Sequence, residues 1–163
     1  MRYAEIRSMD ISDGPYFRVG LYTQGCPFRC SGCHNSQTWD YQGGKEFTDA
    51  TLKKIVSLVK QPHIAGLSIL GGEPLIEQNV FYLTELTKQV KLLNKTIWIW
   101  TGYTYEHIPK IYKPIVDRCD VMIDGQFVKE LYDQSLPYSG SSNQRVIDLN
   151  ATRLHKKIIP YRS

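Results

Sequence analysis

Residues 16–35 read YFRVGLYTQGCPFRCSGCHN and hold three of the four cysteines in the chain. Residues 16–23 alternate apolar side chains with other types, which predicts a β-strand. This strand leads directly into a loop that carries Cys26, Cys30 and Cys33. Three thiols on one short loop behind a strand are the feature from which both the fold and the function can be inferred.

Three thiols cannot form a closed set of disulfides, and three ligands fall one short of the four that structural zinc prefers. Iron-sulfur clusters are held by cysteine thiolates, and a 4Fe-4S cubane normally has one ligand on each of its four irons. Three local cysteines would leave one iron open to the amine and carboxylate of a small molecule. The other interpretation is a zinc site completed by His34 or by a distant histidine.

The rest of the chain alternates between strand and helix patterns. A buried strand over residues 66–70 ends in Gly71-Gly72, a second β-prone run covers residues 96–101, and a third apolar run over 121–123 ends at Asp124. Helices are predicted before and between these runs, the first capped by Thr48 and the last a short piece over residues 105–116 that contains two prolines. This order predicts parallel βα units, so the loops at Gly25, Gly71 and Asp124 should lie on one face of the sheet.

Length and composition limit the possibilities further. The 163 residues predict one α/β domain, residues 1–163, too short for a complete eight-stranded barrel of ~250 residues. A hydrophobic content of 42% with 22% charged residues excludes a disordered chain. The first ten residues lack the apolar run of a signal peptide, and no stretch is long and apolar enough for a membrane span, so a cytoplasmic protein is predicted.

The net charge of +4 is mild, and the basic residues near the C-terminus are interpreted as a solvated tail. No interleaving of aromatic and basic residues accompanies them, so direct nucleic-acid binding is not expected. A docking surface for an acidic protein remains a second interpretation of this tail. Cys119 is interpreted as a small buried hydrophobic residue, and Trp98 and Trp100 as packing residues.

The cysteine spacing resembles the signature of the radical S-adenosylmethionine (SAM) enzymes, and the resemblance extends along the chain. Within that superfamily the chain is similar to the activating enzymes of glycyl radical enzymes, and among these to the family that activates the anaerobic (class III) ribonucleoside-triphosphate reductase. The motifs that carry the resemblance are Asp13-Gly14-Pro15, Gln24-Gly25-Cys26, Cys33-His34-Asn35, Thr38-Trp39-Asp40, the run from Trp98 to Tyr103, the run from Asp124 to Phe127 and the run from Gly140 to Arg145.

The resemblance implies a partial (β/α) barrel of the radical SAM type, with one 4Fe-4S cluster on Cys26, Cys30 and Cys33. The reduced cluster would cleave SAM, and the resulting radical would remove a hydrogen from a glycine of the reductase large subunit. An electron donor such as a flavodoxin is also implied. The SAM site would be lined by Gly32, Cys33, His34, Gly71, Gly72, Glu73 and Asp124.

Several of these residues also have a plain structural interpretation. His34 can be a packing residue, Asp124 a turn residue, and Asn143-Gln144-Arg145 either ordinary turn residues or a contact with the partner. At Gly72 a side chain is expected to disturb SAM binding rather than the cluster.

The chain departs from the family at two positions. Tyr16 stands where a glycine is usual, and Gln126 stands where the pyruvate formate-lyase activators carry a basic residue, so a lysine contact to SAM is not expected here. Two alternative functions remain: activation of another glycyl radical enzyme such as pyruvate formate-lyase, and a zinc-binding adaptor without catalysis.

Overall fold

The computed structural model describes residues 1–162, and seven strands of this part form one open sheet. The strands are β1 (Arg2–Asp10), β2 (Arg18–Thr23), β3 (Lys45–Glu46), β4 (Gly66–Gly71), β5 (Thr96–Thr101), β6 (Val121–Asp124) and β7 (Arg145–Asp148). Their order across the sheet is β3-β1-β2-β4-β5-β6-β7. Four α-helices accompany them in the described residues: α1 (Asp49–Val59), α2 (Val80–Leu92), α3 (Lys113–Val116) and α4 (Leu149–His155).

The centre of the sheet is parallel and its edges are antiparallel. Strands β2, β4, β5 and β6 lie side by side in chain order and run in the same direction, whereas β1, β3 and β7 pair antiparallel. The predicted α/β class and parallel βα units are therefore confirmed. The sheet does not close on itself, because β3 and β7 stand at opposite edges.

Local sequence explains the first helix well. Thr48 accepts a hydrogen bond from the backbone N–H of Thr51, and the Thr51 side chain accepts one from Thr48, which makes a reciprocal capping box. Asp49 in the first turn lies favourably against the helix dipole. The apolar face of α1 packs with that of α2 over a core that includes the wholly buried Val19 and Leu21 of β2.

The opposite face of the sheet carries a second apolar cluster. Trp98, Val121 and Ile123 are buried there, and Trp100 and Tyr138 pack against them. Trp100 donates its indole N–H to the carbonyl of Tyr138 at 2.8 Å. Both tryptophans are thus packing residues, as predicted, and Cys119 is fully buried elsewhere in the main core.

Arg18 is a buried cation that the sequence pattern did not reveal. It is 1% exposed, and its guanidinium donates to Ser68 Oγ at 2.8 Å, to Thr96 Oγ1 at 2.9 Å and to the carbonyl of Leu67 at 2.9 Å. The guanidinium also lies 5.5 Å from the centre of the Trp98 ring. Desolvation by burial lowers the pKa of Arg18 to about 10. Arg18 thus joins β2, β4 and β5 at their N-terminal ends.

Four elements differ from the predictions, one of them the two-residue strand β3, which was not predicted. The predicted helical piece over residues 105–116 is two 3₁₀ turns followed by the four-residue α3, consistent with the prolines at 109 and 114. Strand β7 and helix α4 were not predicted, although Asp148 caps α4 by accepting from the N–H of Ala151 at 2.9 Å. Across residues 1–162, none of the helices combines the length and apolar character needed to cross a membrane.

Candidate functional site

The cysteine loop follows β2, and its three thiols are free and half-buried. The loop turns back on itself where the N–H of Cys33 donates to the carbonyl of Cys30 at 3.1 Å. Desolvation by burial raises the pKa of both the Cys26 and the Cys30 thiol. Gly32 has a φ of 75° and lies against Lys129, whose Cδ would be 3.2 Å from a side-chain carbon at that position.

Backbone contacts with residues 37–40 hold the start of this loop. The N–H of Gly25 donates to the carbonyl of Thr38 at 2.7 Å, and the N–H of Cys26 donates to that of Trp39 at 3.2 Å. The side chain of Gln24 adds bonds to the carbonyls of Gln37 and Asp40. The motif around Thr38 therefore acts as a support for the first cysteine.

The loop after β4 extends the parallel pairing with β2 and touches the cysteine loop. The N–H of Gly72 donates to the carbonyl of Thr23 at 2.9 Å, and the N–H of Glu73 donates to that of Gly25 at 2.8 Å. Gly71 has a φ of 105°, and a side-chain carbon there would lie 2.7 Å from the nitrogen of Thr23. At Gly72 it would lie 2.4 Å from the oxygen of Gly25.

Both glycines are therefore required by the close approach of two protein loops, whether or not a ligand is present. The expectation that a side chain at Gly72 would spare the cluster loop needs correction. A substitution at Gly72 would displace Gly25, which is the neighbour of Cys26.

Glu73 is buried, and all its contacts are internal. Its Oε1 accepts from the N–H of Leu75 and from Thr101 Oγ1, both at 2.8 Å, and its Oε2 accepts from the N–H of Gly102 at 2.7 Å. Burial raises the pKa of the carboxyl to about 7, and these three hydrogen bonds oppose the rise. Glu73 thus ties the loop after β4 to the end of β5.

The end of β5 in turn contacts the cysteine loop. Phe28 packs on Gly102 so closely that a side-chain carbon at Gly102 would lie 2.4 Å from Phe28 Cδ2. Phe28 also meets the ring of Tyr103 edge-on, with the ring centres 5.1 Å apart. A continuous set of contacts therefore runs from Glu73 through Gly102 to the loop that carries the thiols.

Asp124 ends β6 and is 1% exposed. Its carboxylate accepts from Arg145 Nε at 2.9 Å, from Arg145 Nη2, and from the N–H of Tyr105 at 2.8 Å. Arg145 also donates to both oxygens of Glu106, at 3.0 and 2.7 Å, and lowers the pKa of Glu106 to about 2. Asp124 lies at the carboxyl ends of the parallel strands, as predicted, but its carboxylate is already hydrogen-bonded to protein donors.

Strand register shows that the three predicted loops lie together at the carboxyl ends of the parallel strands. Thr23 pairs with Gly71, and Thr101 pairs with Asp124, so the carboxyl ends of the parallel strands are level. The predicted placement of the loops at Gly25, Gly71 and Asp124 on one face is therefore confirmed.

His34 is exposed and lies among aromatic rings. Its ring centre is 5.5 Å from that of Phe127 and 5.7 Å from that of Tyr132. All three rings line a cavity of about 360 Å³, whose walls also include Asp13 and Trp100. The cavity opens beside the cysteine loop and has both polar and aromatic walls, which suits a small polar ligand.

The donor set fits an iron-sulfur cluster. Cys26, Cys30 and Cys33 are free thiols on one loop, and a glycine with positive φ relaxes the turn between the last two. Among residues 1–162, no group of three or more His, Cys, Asp or Glu side chains is gathered closely enough to hold a single metal ion. A cubane does not require that convergence, because each thiolate binds a different iron.

Sequence reasoning missed the segment that covers the cysteine loop. Gln126 Oε1 lies 4.0 Å from Cys30 Sγ, and Lys129 lies over Gly32. Gln126 was considered only as a departure from a related family, and Lys129 was not considered. Their position directly after Asp124 at the predicted ligand edge was the available signal.

Comparison with known proteins agrees with this arrangement. Residues 12–147 match the family model of a 4Fe-4S single cluster domain. An anaerobic ribonucleoside-triphosphate reductase-activating protein of Escherichia coli (strain K12) is 37% identical over 150 residues, which are 90% of this chain and 97% of that protein. The protein of the same name in Enterobacteria phage T4 is 38% identical over 148 residues, covering 90% and 93%.

A third protein of that name, from Vibrio cholerae, is 34% identical over 148 residues, covering 88% of this chain and 96% of its own. The alignments span nearly the whole of each relative and include the cysteine loop and the strands that present it. The chain therefore belongs to the family of anaerobic ribonucleoside-triphosphate reductase-activating proteins.

Proposed function

We propose that this protein is a radical SAM activase that generates a glycyl radical on the large subunit of the anaerobic ribonucleoside-triphosphate reductase. Residues 1–163 would form one radical SAM domain that works in the cytoplasm, where thiols stay reduced. The observation that carries the proposal is the loop of three free, half-buried thiols at the edge where the parallel strands end.

Cys26, Cys30 and Cys33 would hold a 4Fe-4S cluster with one iron free of protein ligands. When bound and reduced, the cluster would supply the electron for cleavage of SAM to methionine and a 5'-deoxyadenosyl radical, and that radical would take a hydrogen atom from the target glycine. An external electron donor such as a flavodoxin would reduce the cluster again. The protein's own task is to bind, orient and shield the reactants.

The residues around the thiols suit that task in different ways. His34 lines the cavity beside the loop, and together with its neighbours Gly32 and Cys33 it would contact SAM directly. The backbone at Gly71 and Gly72 would receive its amino group from the neighbouring strand end. Glu73 and Asp124, whose carboxylates are occupied by protein donors, would hold these loops in place instead of binding the ligand.

Exposure of the site suggests how the partner takes part. His34 is exposed where it lines the cavity, so the small chain does not enclose the cavity by itself. The reductase would close the site by inserting a glycine loop across this edge, which excludes water from the radical step. Glycine suits the role because its backbone enters narrow spaces and its Cα hydrogen is unshielded.

The test begins with anaerobic reconstitution with iron and sulfide. A brown protein whose visible absorption bleaches on reduction is expected, and a colourless protein with one bound zinc would favour the adaptor instead. The brown protein, SAM and a reductant are then incubated with a class III reductase. A glycyl radical signal in electron paramagnetic resonance is expected.

Cys30→Ala should abolish this signal, and Cys119→Ala should retain it. SAM cleavage with a radical only when pyruvate formate-lyase is supplied would show that the partner is wrong.

A further inference from the structure

Two motifs at the ligand edge bind each other residue by residue. Arg145 pairs with Asp124, and the side-chain amide of Gln144 donates to the carbonyl of Gly125 at 2.9 Å. The side-chain amide of Asn143 then donates to the carbonyl of Gln126 at 2.8 Å. The last backbone pair of β6 and β7 is Asp124 with Arg145, and the side chains of Gln144 and Asn143 thus extend the pairing beyond it.

This bracing adds to the support of the turn after β6, whose Gly125 N–H also donates to the carbonyl of Tyr103 at 2.9 Å. The backbone pairing of β6 with β7 ends at Asp124. The chain then turns at Gly125, which has a φ of 97°, and Gln126 is exposed. Gln144 is itself held, since its Oε1 accepts from the N–H groups of Gly140 and Ser141 at 2.9 and 3.2 Å. The interpretation of residues 143–145 as a partner contact is therefore not needed to explain them.

The braced turn lies against one cysteine. Gln126 Oε1 is 4.0 Å from Cys30 Sγ, at the outer limit for a hydrogen bond to sulfur. The backbone N–H of Phe127, the next residue, lies near the same sulfur. A half-turn of the Gln126 amide presents its N–H₂ to the sulfur in place of its oxygen.

We propose that Gln126 is a positioning residue that donates a hydrogen bond to the Cys30 sulfur, and that Asn143 holds Gln126 in place for this contact. Together with the N–H of Phe127, the hydrogen bond from Gln126 would stabilise the extra negative charge of the reduced cluster and so raise the reduction potential of the cluster. Cys30 would thus differ from Cys26 and Cys33 in accepting a hydrogen bond from the side chain of Gln126. The inference rests on the proposed function, because it requires the cluster.

The experiment measures the midpoint potential of the reconstituted full-length protein without SAM, by redox titration followed with electron paramagnetic resonance. Gln126→Leu should keep the iron content of the parent protein and shift the potential to a more negative value. Gln126→Glu should shift it further, because a carboxylate adds negative charge and offers no donor. The matched control, Gln42→Leu, changes an exposed glutamine of another loop and should leave the potential unchanged.

Asn143→Ala provides an independent check, because it leaves the Gln126 side chain intact and removes only its support. A smaller shift in the same direction is expected, and an apolar side chain near the cluster cannot explain it. An unchanged potential in Gln126→Leu at full iron content would overturn the proposal. Loss of iron from that variant would also overturn it, since a residue that only tunes the cluster is not needed to hold it.

A shift in Gln126→Leu without one in Asn143→Ala would overturn the bracing role of Asn143. If the parent protein itself takes up no cluster, the proposed function fails before this inference is tested at all. The two failures are therefore distinguishable in one set of samples.

Discussion

Replacing Glu73 by glutamine should change how the stability of the apoprotein depends on pH. Burial raises the pKa of Glu73 from 4.5 to about 7. A carboxyl with a raised pKa in the folded state favours folding when it is protonated. Its contribution is present in full below about pH 4.5 and is lost as the pH rises towards 7.

The magnitude follows from the size of the pKa change. Each pH unit corresponds to about 1.4 kcal/mol, so the change from 4.5 to about 7 corresponds to about 3 kcal/mol of unfolding free energy. Glu73→Gln removes this dependence, because an amide does not titrate. The variant also places an N–H₂ group opposite the N–H of Gly102, which costs about 1–3 kcal/mol for the lost acceptor.

The measurement is urea unfolding of the reduced apoprotein between pH 5 and pH 8, followed by tryptophan fluorescence. Wild-type protein should be the more stable at pH 5 by about 1–3 kcal/mol. Between pH 5 and pH 8 the difference should move by about 2.5 kcal/mol in favour of Glu73→Gln. Glu77→Gln removes an exposed carboxylate four residues away and should keep the wild-type pH dependence. Parallel stability curves for wild type and Glu73→Gln would refute the reasoning.

Three further predictions concern other parts of the molecule. Changing Cys26, Cys30 or Cys33 to Ala should lower the iron content below that of a full cluster. Cys119→Ala should keep the full iron content and lose only about 1 kcal/mol of unfolding free energy. A full cluster in the Cys26 variant would contradict the ligand assignment. Gly72→Val should lower iron retention and the spectral response to SAM together, because its Cβ would meet the oxygen of Gly25 at 2.4 Å; retained iron with a lost SAM response would instead place the ligand there. Arg18→Met should cost about 2–4 kcal/mol in thermal unfolding, because buried oxygens of Ser68 and Leu67 lose their donor, and the exposed Arg162→Met is its control.

The sequence by itself determined the main elements and the cysteine loop. The strands β2, β4 and β5 were predictable because alternation and apolar runs are local properties of a few consecutive residues. Helix α1 was predictable because Thr48 and Asp49 form a local start signal. The thiols lie within eight residues of one another, so their common role was visible without any tertiary contact.

Only the tertiary structure decided which side chains support the site. Glu73 reaches Gly102, and Asn143 reaches Gln126, across 29 and 17 positions of sequence. Strand β7 is four residues long and is recognisable only by its pairing with β6. Strand order and register bring these residues together, and local periodicity carries no information about either. For the same physical reason, the need for glycine at position 72 follows only from the tertiary structure, because the carbonyl oxygen of Gly25 occupies the space that a side chain would need.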